Sequence, residues 1–100
     1  ERAVTVDDSL AQLWSDLGLA RIQIGQPEAA LSALEEALAL DPNLAVAYYN
    51  RGLLRYHLDD LAGAVSDVEQ ARELAPGDRE IGRLLEELRK QQRSATDSGS

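Results

Sequence analysis

His57 is the only histidine in the chain, and there is no cysteine. A nucleophilic triad would therefore have one possible base, and no serine stands in the G-x-S-x-G context of a strand-to-helix elbow. Zinc needs several nitrogen or sulfur ligands, which a single histidine cannot supply. Carboxylates occur as neighbours at Asp7-Asp8, Glu35-Glu36, Asp59-Asp60 and Glu86-Glu87, where a helix would splay each pair apart. No D-x-D-x-D-G loop accompanies them, so calcium is not expected either. The residue types predict no enzyme, no metal site and no cofactor, and they make the carboxylates solvated surface.

The charge points the same way. With 18 acidic and 10 basic residues the formal net charge is −8, a field that repels nucleic acid and anionic membrane surfaces. No apolar run approaches the ~18 residues of a membrane span. A soluble chain is expected, in the cytoplasm rather than exported. Hydrophobic residues make up 44% of the sequence, yet Phe and Met are absent and only four residues are aromatic. A core built from Leu, Ala and Val suits closely packed helices.

The elements that would carry any function come from an internal repeat. Ala11 to Leu44 and Ala45 to Asp78 are tandem copies of one 34-residue unit. Trp14 falls on Tyr48, Gly18 on Gly52, Leu19 on Leu53, Arg21 on Arg55, Ala30 on Ala64, Ala37 on Ala71 and Pro42 on Pro76. A fixed period of this size means stacked supersecondary units, none of which buries its apolar face alone. Periodicity and punctuation predict five helices and no strand. The first runs from about Leu10 to Ile24, with Leu13, Leu17, Ala20 and Ile24 on one stripe, and Gly25 ends it. The second starts at Pro27 and turns Ala30, Leu31, Leu34, Ala37 and Leu38 inward, stopping at Asp41-Pro42-Asn43, where Asn43 is a cap for the third. The third covers about Leu44 to Leu58. The fourth, behind Asp60, presents Ala64, Val65, Val68 and Ala71. Asp78 caps a fifth, predicted over 79–92, whose Ile81, Leu84, Leu85 and Leu88 form one apolar face. Residues 93–100 read as a disordered polar tail. Residues 1–10 align with the end of the repeat, Ala3 on Ala37 and Asp7 on Asp41. They read as the stump of a preceding repeat, or as an N-terminal arm.

The pattern W-x2-L-G at Trp14, Leu17 and Gly18, followed by Ala30, Ala37 and Pro42, resembles the tetratricopeptide repeat (TPR) family. Tyr48, Gly52, Ala64, Ala71 and Pro76 repeat it. The resemblance spans roughly 80 of the 100 residues. It implies an all-α TPR-type helix-turn-helix solenoid of two repeats, 11–44 and 45–78, closed by a solvating cap helix. The glycines and alanines would sit where two helices approach too closely for longer side chains, with Trp14 and Tyr48 filling the wedge beside them. The chain departs from the family where Arg21 and Arg55 replace a late aromatic and Arg51 replaces a leucine. Arg51 and Arg55, four apart on one face, are placed to reach Asp67 or Glu69.

In the TPR arrangement the first helix of each unit lines the inside of a curved stack. By rotation away from the packing stripe, the groove residues are Gln12, Ser15, Leu19, Ile22 and Gln23 in the first repeat. In the second they are Val46, Tyr49, Asn50, Leu53, Tyr56 and His57. So apolar an inner face commonly marks a protein-interaction site. The expected function is non-enzymatic binding of a peptide or partner helix in this groove, oriented by Asn50; the alternative is a structural spacer within a longer array. One TPR subclass holds the acidic C-termini of heat-shock chaperones with a carboxylate clamp. Its basic and amide positions correspond here to Ser15, Leu19, Asn50, Glu80 and Leu84, of which Asn50 alone conforms. The expected partner is thus a neutral or basic protein or peptide. A weak homodimer at high concentration is also expected, burying Leu10, Leu13 and Trp14 at the first helix, shielded only by Ala3, Val4 and Val6.

Overall fold

The computed structural model describes the backbone of residues 3–99 and the side chains of residues 9–94. Five helices follow one another: α1 (Ala3–Gln23), α2 (Pro27–Leu40), α3 (Ala45–His57), α4 (Leu61–Leu74) and α5 (Arg79–Gly99). No strand occurs among the described residues. α1 packs on α2 and α3 on α4, with α3 resting on α2 and α5 on α4, so each helix meets mainly its neighbours in sequence.

Small residues set the approach of each pair. Ala30, Ala37, Ala64 and Ala71 have no exposed surface. A Cβ built on Gly18 would lie 2.7 Å from Leu34 Cγ, and one on Gly52 would lie 2.6 Å from Val68 Cγ2. Two apolar clusters result: Ala30, Leu34 and Leu54 join α2 to α3. Ala64, Val65, Val68, Ala71, Ile81, Leu85 and Leu88 join α4 to α5, with Tyr48 and Tyr56 against them. Arg51 forks onto Asp67 with two 2.9 Å hydrogen bonds, and Arg55 adds an ion pair at 3.2 Å. Glu69 takes Arg89 instead, at 2.8 Å.

The turns follow local chemistry. Gly25 (φ +80°) closes α1 with Gln26 N–H donating to Arg21 C=O at 2.8 Å and Gly25 N–H to Ile22 C=O at 3.1 Å, a Schellman motif. Asp60 caps α4, its Oδ1 accepting Gly63 N–H at 2.9 Å, and Asp78 caps α5 through Glu80 N–H at 3.0 Å. Asn43 does not cap α3. Its own N–H donates to Asp41 Oδ1 at 3.1 Å, and Leu44 stands at the cap without a side-chain bond. The Asp41 carboxylate thus engages the turn and leaves the start of α3 to backbone bonds.

Three other expectations differ from the structure. α1 runs unbroken from Ala3 through the positions aligned with Asp41-Pro42-Asn43, because Asp8, standing where Pro42 does, neither lacks an N–H nor clashes with the preceding turn. α5 continues past 92 to Gly99, where a polar tail was expected. The stripe Leu13, Leu17, Ala20 and Ile24 faces outward: Leu13 is 63% and Ile24 66% exposed, while Ala11, Ser15 and Gly18 supply α1's buried face.

Candidate functional site

The predicted groove residues separate into four groups. Gln12, Leu19, Val46, Tyr49 and Asn50 come together around a concavity of about 460 Å³ between α1 and α3. Its further wall is Asp78, Glu80 and Ile81, at the start of α5. Ile22 and His57 meet at the other end of the helix pair, in a smaller hollow of about 230 Å³ with Leu54 and Leu58. Gln23 is exposed, Leu53 is half-buried, and neither lines these two hollows. Ser15 and Tyr56 are committed elsewhere.

Ser15 has no exposed surface, and its Oγ accepts a hydrogen bond from Asn50 Nδ2 at 3.1 Å. Asn50 is 3% exposed. The pair ties α1 to α3 and satisfies two polar groups that would be costly to bury alone. Ser15 therefore has no surface to offer a ligand, and one of the two Asn50 amide hydrogens is committed within the fold. Tyr56 packs its ring against the α4–α5 cluster, and its hydroxyl accepts from Gln91 Nε2 at 2.7 Å. These two interactions fix α3 against α1 on one side and α5 on the other.

Negative charge surrounds the larger concavity. No lysine or arginine lines it, while Asp78 and Glu80 do, and Gln12 Nε2 holds Asp16 Oδ1 at 3.0 Å beside it. Burial raises the Tyr49 phenol above its usual range, and the charges of Glu80 and Asp78 raise it further. Arg51 lies over the Tyr48 ring at 5.7 Å and is held above the usual guanidinium range by its hydrogen bond to Asp67, against the opposing effect of burial. Among the described residues no group of three or more His, Asp or Glu side chains is placed to hold a metal, and no helix is long and apolar enough to cross a membrane.

Asp78, Glu80 and Ile81, outside the predicted set, also line this concavity. The period could have found Glu80, because Gln12, Val46 and Glu80 occupy one repeat position in three successive inner helices, and all three line the concavity. α5 is both a cap and a third inner helix.

Two family models match the chain, one described as TPR repeat over residues 18–59 and one as tetratricopeptide repeat over 45–78. The chain belongs to the TPR family. No curated protein sequence matches it. Among solved structures, the first TPR of Spaghetti (RPAP3), bound to the HSP90 peptide SRMEEVD, is similar with a TM-score of 0.77 and 26% identity, over 83% of this chain and 66% of that one. The UNC-45 chaperone, described for binding and folding muscle myosin, matches with a TM-score of 0.78 and 27% identity, over 88% of this chain and 10% of its own. The MamA protein matches at 0.67 and 28%, over 94% and 57%. This chain thus spans less than two thirds of each of these three relatives.

Proposed function

We propose that this TPR segment is a protein-interaction module that receives a neutral or basic peptide, extended or helical, along α1 and α3. The observation that carries the reading is the concavity of Gln12, Leu19, Val46 and Tyr49, apolar along its floor and walled by Asp78 and Glu80 without a basic residue. Apolar side chains of the ligand would anchor beside Leu19 and Tyr49. A lysine or arginine would be drawn toward Glu80 and Asp78. The peptide-bound TPR of Spaghetti, similar in fold, supports a peptide as the class of ligand. Its acidic ligand is not the chemistry expected here, because Ser15, Leu19, Glu80 and Leu84 occupy the positions where a carboxylate clamp requires basic and amide side chains.

The test is selection from a displayed library of short peptides, followed by titration of the enriched sequences and of SRMEEVD. Enriched peptides should combine apolar residues with Lys or Arg, lose affinity as salt is raised, and shift the backbone amide signals of Gln12, Leu19, Val46 and Tyr49. Tyr49→Ala should weaken them by about tenfold or more at a temperature where the variant keeps its full helix content, since the ring also packs on the α4–α5 cluster and its loss lowers the melting point. Enrichment of acidic peptides, tighter binding of SRMEEVD, or signal changes confined to α2 and α4 would overturn the proposal.

A further inference from the structure

The hollow of about 230 Å³ beside Ile22 and His57 has a filled counterpart one repeat on. Its walls are Ile22, Gly25 and Pro27 around the first turn and Leu54, His57 and Leu58 at the end of α3. All of them lie between positions 22 and 58, and none is shared with the concavity of Gln12 and Tyr49. Leu54 is buried, and no carboxylate, lysine or arginine lines the space. The site is separate from the peptide groove and stands whether or not that groove is used.

Adding one period puts Tyr56, Leu61, Leu88 and Gln91 in the places of Ile22, Pro27, Leu54 and His57. There Tyr56 and Leu61 pack on the cluster that contains Leu88. The Tyr56 hydroxyl accepts a hydrogen bond from Gln91 Nε2 at 2.7 Å. At this station the repeat thus seats a phenol, with an inner-helix leucine beneath the ring and an N–H donor for its oxygen. One repeat earlier the leucine and the donor are kept, as Leu54 and His57, but Ile22 supplies neither ring nor hydroxyl. A hollow stands where the ring would be.

Size agrees with that reading. The volume is below the ~300–1,000 Å³ of small-molecule sites, while an apolar cavity of ~150 Å³ is enough for a benzene ring. The rim agrees as well. Ile24 and Leu58 share one repeat position and are 66% and 50% exposed, whereas the next residue of that series is Gln92. The series turns polar where the ring is already in place. We propose that the hollow receives the phenol ring of a tyrosine from a partner protein, His57 donating to its hydroxyl as Gln91 does to Tyr56. Imidazole keeps an N–H whether neutral or protonated, so the donor is present in either state. Ile24 and Leu58 then cover the stem of that tyrosine and the chain beside it, a role that a free aromatic molecule does not call for.

The probes are p-cresol, which is the tyrosine side chain alone, and N-acetyltyrosinamide, its peptide form. Both should shift the methyl signals of Ile22, Leu54 and Leu58 and the ring signals of His57, with the millimolar affinity expected of so few atoms. Toluene should bind about three- to tenfold more weakly, the worth of one hydrogen bond, and His57→Ala should remove that difference. Ile22→Tyr supplies the ring from within, as Tyr56 does, and should abolish binding. Leu58→Gln, at a half-exposed position, copies Gln92 and should weaken both probes by about threefold or more. No shift with p-cresol, toluene equal to it, or undiminished binding to Leu58→Gln or to a folded Ile22→Tyr would each overturn the proposal. Binding of p-cresol without N-acetyltyrosinamide would overturn it too, leaving the hollow to a free aromatic molecule. Self-association of the parent chain that Leu58→Gln abolishes would give the place to a second copy instead.

Discussion

The two repeats hold the same backbone with different chemistry. Between α3 and α4, Asp67 is nearly buried and receives both Arg51 and Arg55. One period earlier those three positions are Ala33, Leu17 and Arg21, so no carboxylate is there to be paired. Arg21 reaches no further than Gln26 Oε1, at 3.5 Å. What does not change is the small-residue seam: Gly18 and Gly52, Ala30 and Ala64, Ala37 and Ala71 are all buried. Helix separation is therefore set by the glycines and alanines, and the charged fork is one local way to fill the edge of that contact. Asp67 and Arg51 are largely buried, so their fork mainly offsets the cost of taking the carboxylate out of water, while the more exposed Arg55 adds little.

The comparison breaks most sharply at Leu34 and Val68, which share one repeat position and are both wholly buried. Leu34→Ala should cost ~2–5 kcal/mol in denaturant melts. Val68→Ala, which deletes one carbon fewer from the matching site, should cost less. Equal losses would mean that the two seams are not packed alike, and a loss under ~1 kcal/mol for Leu34→Ala would remove it from the core.

A smaller effect separates the glycines. An added Cβ at Gly18 meets the Cγ and Cδ2 of Leu34 at 2.7 and 2.8 Å and Ala30 O at 3.3 Å; Leu34 is wholly buried, but a leucine in a helix has a second χ1 rotamer to turn to. At Gly52 it meets Val68 Cγ2 at 2.6 Å, and a β-branched side chain in a helix has essentially one χ1 available. Gly52→Ala should therefore destabilise by about 1–3 kcal/mol despite alanine's better helix propensity. Gly18→Ala should fall closer to neutral, and Gly52→Leu should be worse than either. If both alanine variants melt like the parent chain, the seam is looser than its geometry states.

The period made most of this fold legible. Equivalent glycines, alanines and prolines fix where helices start, stop and touch, and Leu34, Val68 and Ile81 read directly as core. The misreadings share a cause: periodicity shows that a helix has an apolar stripe without showing which neighbour meets it. Leu13 lies on the stripe that buries Ile81, but α1 has no described helix before it, so the same pattern that is core in α5 is surface in α1. Ser15 differs in another way. A polar residue on α1 reads as groove, and only tertiary packing brings it within 3.1 Å of Asn50, 35 positions on, and takes it out of contact with water, while Asn50 still borders the concavity. Glu80 was legible by position and was passed over because α5 read as a cap alone.

The finest contrast lies in the two turns. Asp59 stands one period after Gly25 and adopts the same left-handed backbone, φ +66° against +80°. It also makes the same Schellman bonds, with Asp60 N–H donating to Arg55 C=O at 2.8 Å and Asp59 N–H to Tyr56 C=O at 3.1 Å. The geometry is thus imposed by the repeat, and Asp59 meets it with a Cβ that the left-handed region disfavours. The second turn gains something in exchange. Asp60 caps α4 through Gly63 N–H, whereas Gln26 makes no side-chain cap on α2 and leaves that role to Pro27, whose missing N–H needs none. Gly25→Ala should accordingly destabilise by about 1 kcal/mol, since nothing lies within 4 Å of its would-be Cβ and the penalty is conformational alone. Asp59→Gly should move the other way, stabilising by a few tenths to about 1 kcal/mol, because glycine's release from strain exceeds the extra freedom it gives the unfolded chain. Matched thermal melts of the two variants decide it: a stabilising Gly25→Ala or a destabilising Asp59→Gly would show that side chains, and not the left-handed backbone, govern these turns.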